Sequence, residues 1–545
     1  MSSESTLRTL CLLAVTATAA VTAGAGEPPA DETASAERQA AVKAFESLYG
    51  KEFETARRTR SKADDVVLAR RLVRAADEPR CDAVMAGVLC EEAADLAVAH
   101  PSGFEVAVGA LVRVTLRDPA RAVPAAQRIA DIRQRQFQAG SRAGQATSGP
   151  AYLDALRTAA AWQLSADEFG EAADLLKQAS SMARVLRSPR AADVAGWVTA
   201  VGRAARSETT ARRHEKILER RPNDVRIREQ LVRTYLLNLD DPASAAEHLE
   251  GVEDKALRKY LPAVGKGVEA APELACLELG DWYRSLIQEA PPEAKPAIAC
   301  RTAAYYERFI RLHPQADADM ARARRDLGIM QTELDRLGGS PIDGRPTYDL
   351  LPLVDPDARA VNGRWTRRGS GIEVGVSSEC RLVIPVAPEG PYDLEVRFIR
   401  HKGISTVAAF LPFDGRQVLL LLSFYDGKYG GIDGVDGKEA DKNASTFSPC
   451  RITNGQEQYL HIRVDPPGEA GGASAEEAAP QVRFRVTWNG RQVVDCGGPV
   501  SQVGGYHGKW RIPSNRCLGL AANNSWVEFR SVRLTMRGGE ARLLQ

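Results

Sequence analysis

The chain has 545 residues, 44% hydrophobic and 26% charged, with a net charge of +1 from 72 Lys and Arg against 71 Asp and Glu. That length calls for two or more domains, and the composition is that of a soluble globular protein rather than a disordered or collagen-like one. The balanced charge gives no long-range field to gather nucleic acid or an anionic membrane, so nucleic-acid binding is set aside.

Residues 1–25 read as a signal peptide. Arg8 gives a short basic start, residues 10–21 a short apolar run, and Ala23-Gly24-Ala25 the small residues that a signal peptidase reads. The run is shorter than the roughly 20 residues that span a bilayer. Cys11 precedes the run rather than ending it, so it is no lipoprotein attachment site. The mature chain is expected to begin near Gly26 and to be exported, whether periplasmic, cell-surface or secreted. No later stretch is long and apolar enough to be a membrane span.

From residue 34 to about 337 the pattern is helical. Helices are expected over 35–49, 64–76, 81–100, 104–116 and 120–137, broken at Pro79, at Pro101-Ser102-Gly103 and at Asp118-Pro119. Residues 140–150 (GSRAGQATSGP) are polar and Gly-rich and read as a loop closing a helical region at 34–140. Eight cysteines follow the leader. Cys81 and Cys90 are placed in one helix, about 13 Å apart along its axis, too far for a bridge. Cys276 and Cys300 fall on consecutive helices where they can face each other, and the last four allow three pairings. For most of them the expected role is that of a buried small hydrophobe.

Over 151–337 a repeat emerges. Trp162 is followed by Phe169-Gly170-Glu171-Ala172 and then Ala179. Leu279-Gly280-x-x-Tyr283 and Tyr306-x-x-Phe309, with Pro314 beyond, give a helix pair and its stop, and residues 228–249 give a shorter pair. This resembles the tetratricopeptide repeat, with Leu279, Gly280 and Tyr283 where that family has its knob residues and Pro314 where its helix stop falls. The match departs at the insertion 288–295 and at Thr302 and Phe309, where small alanines are usual. The resemblance implies about three degenerate repeats, stacked as helical hairpins and presenting a groove to a protein or peptide partner. Trp162, Trp197, Trp282, Tyr283 and Tyr306 are expected as knobs between helices, not as ligand contacts.

Residues 338–346 carry two glycines and two prolines and read as a linker. Helical periodicity does not return. Residues 347–545 are expected to form about ten antiparallel strands in a β-sandwich, with a solvated low-complexity insert at 468–480. The clearest element is 481–496, where Val482, Phe484, Val486 and Trp488 alternate with polar residues before Asn489-Gly490, a dipeptide suited to a tight hairpin turn. Residues 418–422 (VLLLL) suggest a strand buried on both faces. The fold class is therefore an α-helical repeat domain followed by an antiparallel β-sandwich.

The late strands, Val486-Thr487-Trp488-Asn489-Gly490, Leu518-Gly519-Leu520 and Trp526-Val527-Glu528-Phe529-Arg530, resemble those of concanavalin A-like or laminin-G-like jelly rolls. In particular they are similar to 3-keto-disaccharide hydrolase-type domains of exported bacterial proteins. The resemblance implies a jelly roll, and a function that is glycan binding, glycoside processing or protein contact.

Glycosidases of this kind need two carboxylates about 5–5.5 Å apart for retention. Asp393 and Glu395 alternate along a strand, and the expectation is a solvent face. Residues 425–437 (YDGKYGGIDGVDG) are rich in Gly and Asp. Asp433 and Asp436 could hold calcium, yet the spacing is not that of an EF-hand, and an inter-strand loop is the preferred reading. No metal, cofactor or nucleophile fingerprint is found. Aromatic faces stack on sugars while Asn and Asp serve hydroxyls. On that ground Tyr425, Asp426, Tyr429, His507, Trp510, Asn523 and Asn524 are the candidate ligand-binding residues, with no catalytic set. The expected function is a non-enzymatic binding protein, with protein contacts through the helical repeats and glycan or protein binding through the jelly roll. The alternative is a glycoside-processing hydrolase.

Overall fold

The computed structural model describes residues 30–60, 62–188, 190–313, 315–337, 344–467, 481–505 and 508–544. The expected signal peptide, most of the linker, the insert at 468–480, Pro314 and His507 lie outside these residues. Helices come first and antiparallel strands after them. By its internal contacts the chain divides into two compact units, one made of residues up to Trp162 together with Arg345 onward, the other of Gln163–Gly344.

In the first unit the helices are α1 (Ala30–Arg58), α2 (Ala63–Ala76), α3 (Ala83–Ala97), α4 (Phe104–Arg117), α5 (Ala122–Ala139) and α6 (Arg142–Ser165). Most boundaries follow the sequence signals. Asp82 caps α3, accepting from the Met85 N–H at 2.8 Å, so Cys81 lies outside the helix rather than in it. The expected loop at 140–150 is instead the first half of α6. Ser141 Oγ accepts from the Gly144 N–H at 3.3 Å, and Pro150 sits inside the helix. An internal proline costs about 3 kcal/mol. Here the burial of nearly every residue from Ala151 to Trp162 outweighs it. Among the described residues no disulfide joins any two of the eight cysteines after the leader, Cys276 and Cys300 included.

The strands form two main sheets, beside which β6 (Val386–Glu389) pairs with β16 (Glu540–Leu543). The larger has the order β13 (Arg491–Pro499), β12 (Gln481–Trp488), β11 (Glu457–Asp465), β7 (Tyr392–Gly403), β15 (Ser525–Met536), β4 (Gly371–Val374) and β3 (Trp365–Arg368), with β1 (Thr347–Asp349) also on β15. The smaller has the order β10 (Tyr429–Asp433), β9 (Arg416–Ser423), β8 (Val407–Phe413), β14 (Leu518–Ala522), β5 (Cys380–Ile384) and β2 (Ala360–Asn362). The β12–β13 hairpin turns at Asn489 and Gly490, with φ of 48° and 81°. Between the sheets, Val396, Phe398, Leu460 and Phe529 meet Val407, Ala409, Leu420 and Leu422. The smaller sheet is apolar on its outer face too. There Phe410, Leu419 and Leu421 lie under Ala440, Trp510, Ile512 and Cys517 from two long loops.

The outer face of the larger sheet is charged, and helices cover it. Asp154 of α6 pairs with Arg397 of β7 and accepts from Ser531 Oγ of β15 at 3.3 Å. Thr158 Oγ1 accepts from Arg533 at 3.0 Å, and Arg157 lies 3.7 Å from Glu395. Trp162 Nε1 donates to the Thr347 carbonyl of β1 at 3.0 Å. Deeper in the interface, Arg133 of α5 is fully buried, pairs with Glu105 and lies 3.9 Å from Asp349. Asp393 and Glu395 therefore do not form a solvent face. Asp393 is held by Arg463 and Arg537, and Glu395 by Arg157 and Arg533.

The second unit consists of α7 (Phe169–Val185), α8 (Ala191–Arg220), α9 (Val225–Arg233), α10 (Pro242–Glu247), α11 (Lys255–Val264), α12 (Glu273–Glu289), α13 (Lys295–Leu312) and α14 (Ala318–Arg336). Its core gathers Leu236, Leu261, Trp282, Tyr283, Tyr306 and Phe309. Gly280 is needed there, since a Cβ would sit 2.7 Å from the Tyr306 ring. Trp282, Tyr283 and Tyr306 are buried in this core, Trp162 is buried against β1 rather than between helices, and Trp197 is half-buried beneath Arg190.

Two predictions follow from the charged interface. Burial disfavours the charged form of Asp154, but Arg397, Arg533 and Arg157 outweigh it and hold the carboxyl below its ordinary value. Asp154→Ala removes the carboxylate that those guanidinium groups share and is expected to cost about 3–5 kcal/mol in urea unfolding; a loss below about 1 kcal/mol would contradict the pairing. Asp349 behaves oppositely. Burial, aided by Asp154 and Glu105 and opposed by Arg133, pushes its carboxyl up to about 6. A raised acid binds its proton more tightly in the folded state, so its favourable contribution is full at low pH and is lost as pH rises through about 6. Asp349→Asn is expected to raise Tm at pH 7 and to change it little near pH 4, whereas a fall at pH 7 would count against this assignment.

Candidate ligand-binding end of the sandwich

β9 ends at Ser423, where the chain enters a short loop under unusual constraint. Ser423, Tyr425 and Asp426 have φ of 59°, 47° and 56°, so three non-glycine residues within four positions are left-handed. Each such residue costs about 1–2 kcal/mol. Neighbouring hydrogen bonds hold the conformation. Ser423 Oγ donates to the Ile404 carbonyl at 2.9 Å, and the Cys450 N–H donates to the Gly427 carbonyl at 3.1 Å.

Arg400 of β7 fastens this end. It is 3% exposed. It donates to Asn454 Oδ1 at 2.7 Å, the Ser405 carbonyl and Ser423 Oγ both at 2.9 Å, and the Ile452 carbonyl at 2.6 Å. Among the described residues no carboxylate pairs with it, and burial lowers its affinity for a proton from the usual arginine value. A buried cation served by neutral acceptors from two loops and the end of β9 is a rigid pin.

The pinned loop presents an aromatic surface. Tyr425 is 49% exposed, its ring 4.1 Å from that of Phe424 and 6.4 Å edge-on from that of Tyr429. Asp426 is exposed beside it. Tyr425, Asp426 and Tyr429 are thus brought together, an exposed aromatic face flanked by a carboxylate. Asn524 is exposed in the turn before β15. The side chain of Asn523 is occupied, accepting from the Glu379 N–H at 3.0 Å and facing Ser405 Oγ at 3.4 Å. Trp510 is 9% exposed and belongs to the apolar cover of the smaller sheet, so its ring offers no open face. Asp433 is buried and accepts from the Ala440 N–H at 3.1 Å, which engages it within the loop that follows β10.

One constellation escaped the sequence reading. Glu373 of β4 and Glu528 of β15 are direct cross-strand partners. His401 Nε2 lies 2.8 Å from Glu528 Oε2, and Trp526 Nε1 donates to Glu373 Oε2 at 3.2 Å. Arg368 lies 2.9 Å from Glu373 and Arg530 lies 3.4 Å from Glu528. The alternation Trp526, Glu528, Arg530 was visible in the sequence, but the opposing Glu373 comes from a strand far away in the chain.

No protein-family model matches the chain, and no curated protein does. Solved structures that it is similar to include the carbohydrate-binding module CBM66 from Bacillus subtilis, at 14% identity and a TM-score of 0.23, covering 32% of this chain and 92% of that one. Another is a GH43 glycoside hydrolase engineered to display both endo-xylanase and exo-arabinofuranosidase activity, at 13% identity and a TM-score of 0.20, covering 30% of this chain and 34% of that one. At these TM-scores the likeness decides nothing about the site.

The pin is open to test. Arg400→Met leaves its acceptors without donors, at about 1–3 kcal/mol for each one that stays buried. Hydrogen exchange at the Cys450 and Gly430 amides, which close the loop, is expected to speed by about tenfold or more. Unchanged exchange would show that the loop holds itself.

Proposed function

We propose that the protein is an exported, non-enzymatic binding protein whose concanavalin A-like sandwich takes a glycan on the Tyr425 loop. Its tetratricopeptide-like helices would contact a protein or peptide partner. The observation that carries the reading is the exposed Tyr425 ring, held against Phe424 and Tyr429 beside Asp426 on a strained and pinned loop. Strain of this kind persists only where the surroundings enforce it, and it gathers at ligand sites. An aromatic face beside hydrogen-bonding groups suits the C–H face and the hydroxyls of a sugar ring. Asn524 is a further candidate contact, and export follows from the reading of residues 1–25. No helix among the described residues is long and apolar enough to cross a membrane.

The second reading, a glycoside-processing hydrolase, is favoured by the Glu373–Glu528 pair with its histidine and tryptophan. Against it, both carboxylates are already engaged within the protein, Glu373 by Arg368 and Trp526 and Glu528 by Arg530 and His401.

On a glycan array, the full chain is expected to bind a polysaccharide class, and Tyr425→Ala to weaken that binding by about tenfold or more, the worth of a stacked aromatic contact. Binding that survives Tyr425→Ala would remove the loop from the account. Turnover of an aryl glycoside that is lost in Glu528→Gln would replace the binding reading with the enzymatic one.

A further inference from the structure

The end of the sandwich that carries the Tyr425 loop also holds apolar side chains that the glycan reading does not use. Among the described residues of the sandwich, the exposed large apolar side chains are Val361, Val376, Ile404 and Tyr425, and all four lie at this one end. Hydrogen bonds join their loops edge to edge. Asn362, next to Val361, donates to the Ser378 and Glu379 carbonyls, both at 3.1 Å. The Asn524 N–H donates to the Ser377 carbonyl at 2.8 Å, and the Asn523 N–H to the Thr406 carbonyl at 2.9 Å. The Ile404 carbonyl in turn accepts from Ser423 Oγ, at the root of the Tyr425 loop. The β4–β5, β7–β8 and β9–β10 loops therefore stand side by side, and Val376 and Ile404 are 55% and 61% exposed at the first two. Single exposed apolar residues need no explanation, but a cluster marks an interaction surface.

The same loops are basic. Arg364, Lys402, Lys428 and Arg451 are exposed, and among the described residues none of them is paired with a carboxylate. Arg451 lies against the Tyr425 loop, its Cγ 3.2 Å from where a Cβ on Gly427 would stand. The carboxylates of these loops are Asp426 and Glu379, and Glu379 lies 3.9 Å from a fifth cation, Lys509. This end is therefore positive, although the whole chain carries only +1.

The two features together select a partner. An aliphatic tip offers no hydrogen bond to a sugar and gains only by leaving water. An acidic polypeptide would satisfy the cations and leave the aliphatic tips wet. A layer of anionic lipid headgroups supplies both needs, because apolar tips enter the acyl boundary while Lys and Arg stay at the phosphates. We infer that this end of the sandwich docks on an anionic lipid surface, with Val376 and Ile404 inserted and Arg364, Lys402, Lys428 and Arg451 on the headgroups. The inference does not rest on the glycan reading, and it sets the Tyr425 ring at the same surface.

Cosedimentation of the full chain with lipid vesicles tests the inference. Vesicles of equimolar phosphatidylcholine and phosphatidylglycerol should bind it about tenfold or more tightly than phosphatidylcholine alone, since each basic side chain at such a surface contributes about fivefold. Val376→Ser with Ile404→Ser should weaken binding to the anionic vesicles by about tenfold or more. Lys402→Glu with Lys428→Glu should weaken it by at least as much. All four positions are exposed, so Tm should not change in either double variant. Equal binding to both kinds of vesicle would overturn the inference, as would binding to neither, which would leave the loops to an acidic protein. Anionic binding that survives Val376→Ser with Ile404→Ser would overturn it too, since the contact would then be one of charge alone. Glycan-array binding should be the same in that double variant as in the parent chain, so failure here is read separately from failure of the Tyr425 site.

Discussion

The structure of the first unit depends on how one carboxylate is neutralised. Asp154 lies on a helix that covers a sheet, buried among Arg397, Arg533 and Arg157. Charges removed from water this way are tolerable only when paired and hydrogen-bonded, and the strand face supplies both. Arg133, Glu105 and Asp349 extend the network toward β1. The result is a helical layer laid on the charged outer face of a sandwich by polar complementarity, while the apolar core stays between the sheets and under the loops of the smaller one. Geometry of this kind specifies one arrangement more sharply than an apolar contact would, because a displaced helix leaves ions unpaired.

Much of the fold was legible because its signals are local. Asn489-Gly490 between two alternating runs names a hairpin whatever surrounds it, and the run at 418–422 does form a strand buried on both faces. The helical periodicity of Glu273–Glu289 and Lys295–Leu312 likewise gives two helices, which pack with Gly280 against Tyr306. The charged interface was not legible. Asp154 and Arg397 are 243 positions apart, and a polar strand face reads the same whether it meets water or a helix that carries the complementary charge. For the same reason the helix through Pro150 looked like a loop, since its Gly and Pro content is a local signal and the burial that overrides it is not.

The candidate site divides along the same line. Tyr425, Asp426 and Tyr429 are close in sequence and close in space, so composition alone was enough to group them. Trp510 looked equivalent, a glycine-flanked aromatic in a loop, but the double-sided burial of the smaller sheet requires large apolar residues to cover it, and Trp510 is one of them. Glu373 and Glu528 were missed because only strand register sets them opposite each other. Arg400, which fixes the loop, gave no sign in the sequence that its partners would be neutral atoms from two loops and the end of β9.

Native-state hydrogen exchange across a urea series, followed amide by amide on the full chain, tests most directly whether helices and sandwich form one unit through the Asp154 network. The amides of α4, α5 and α6 should share one opening free energy and one urea dependence with those of β7 and β15, and Asp154→Ala should lower both sets together. Helices that open at lower free energy than the strands, with Asp154→Ala affecting neither, would mean that the sandwich stands alone and that the helical layer is only an attachment.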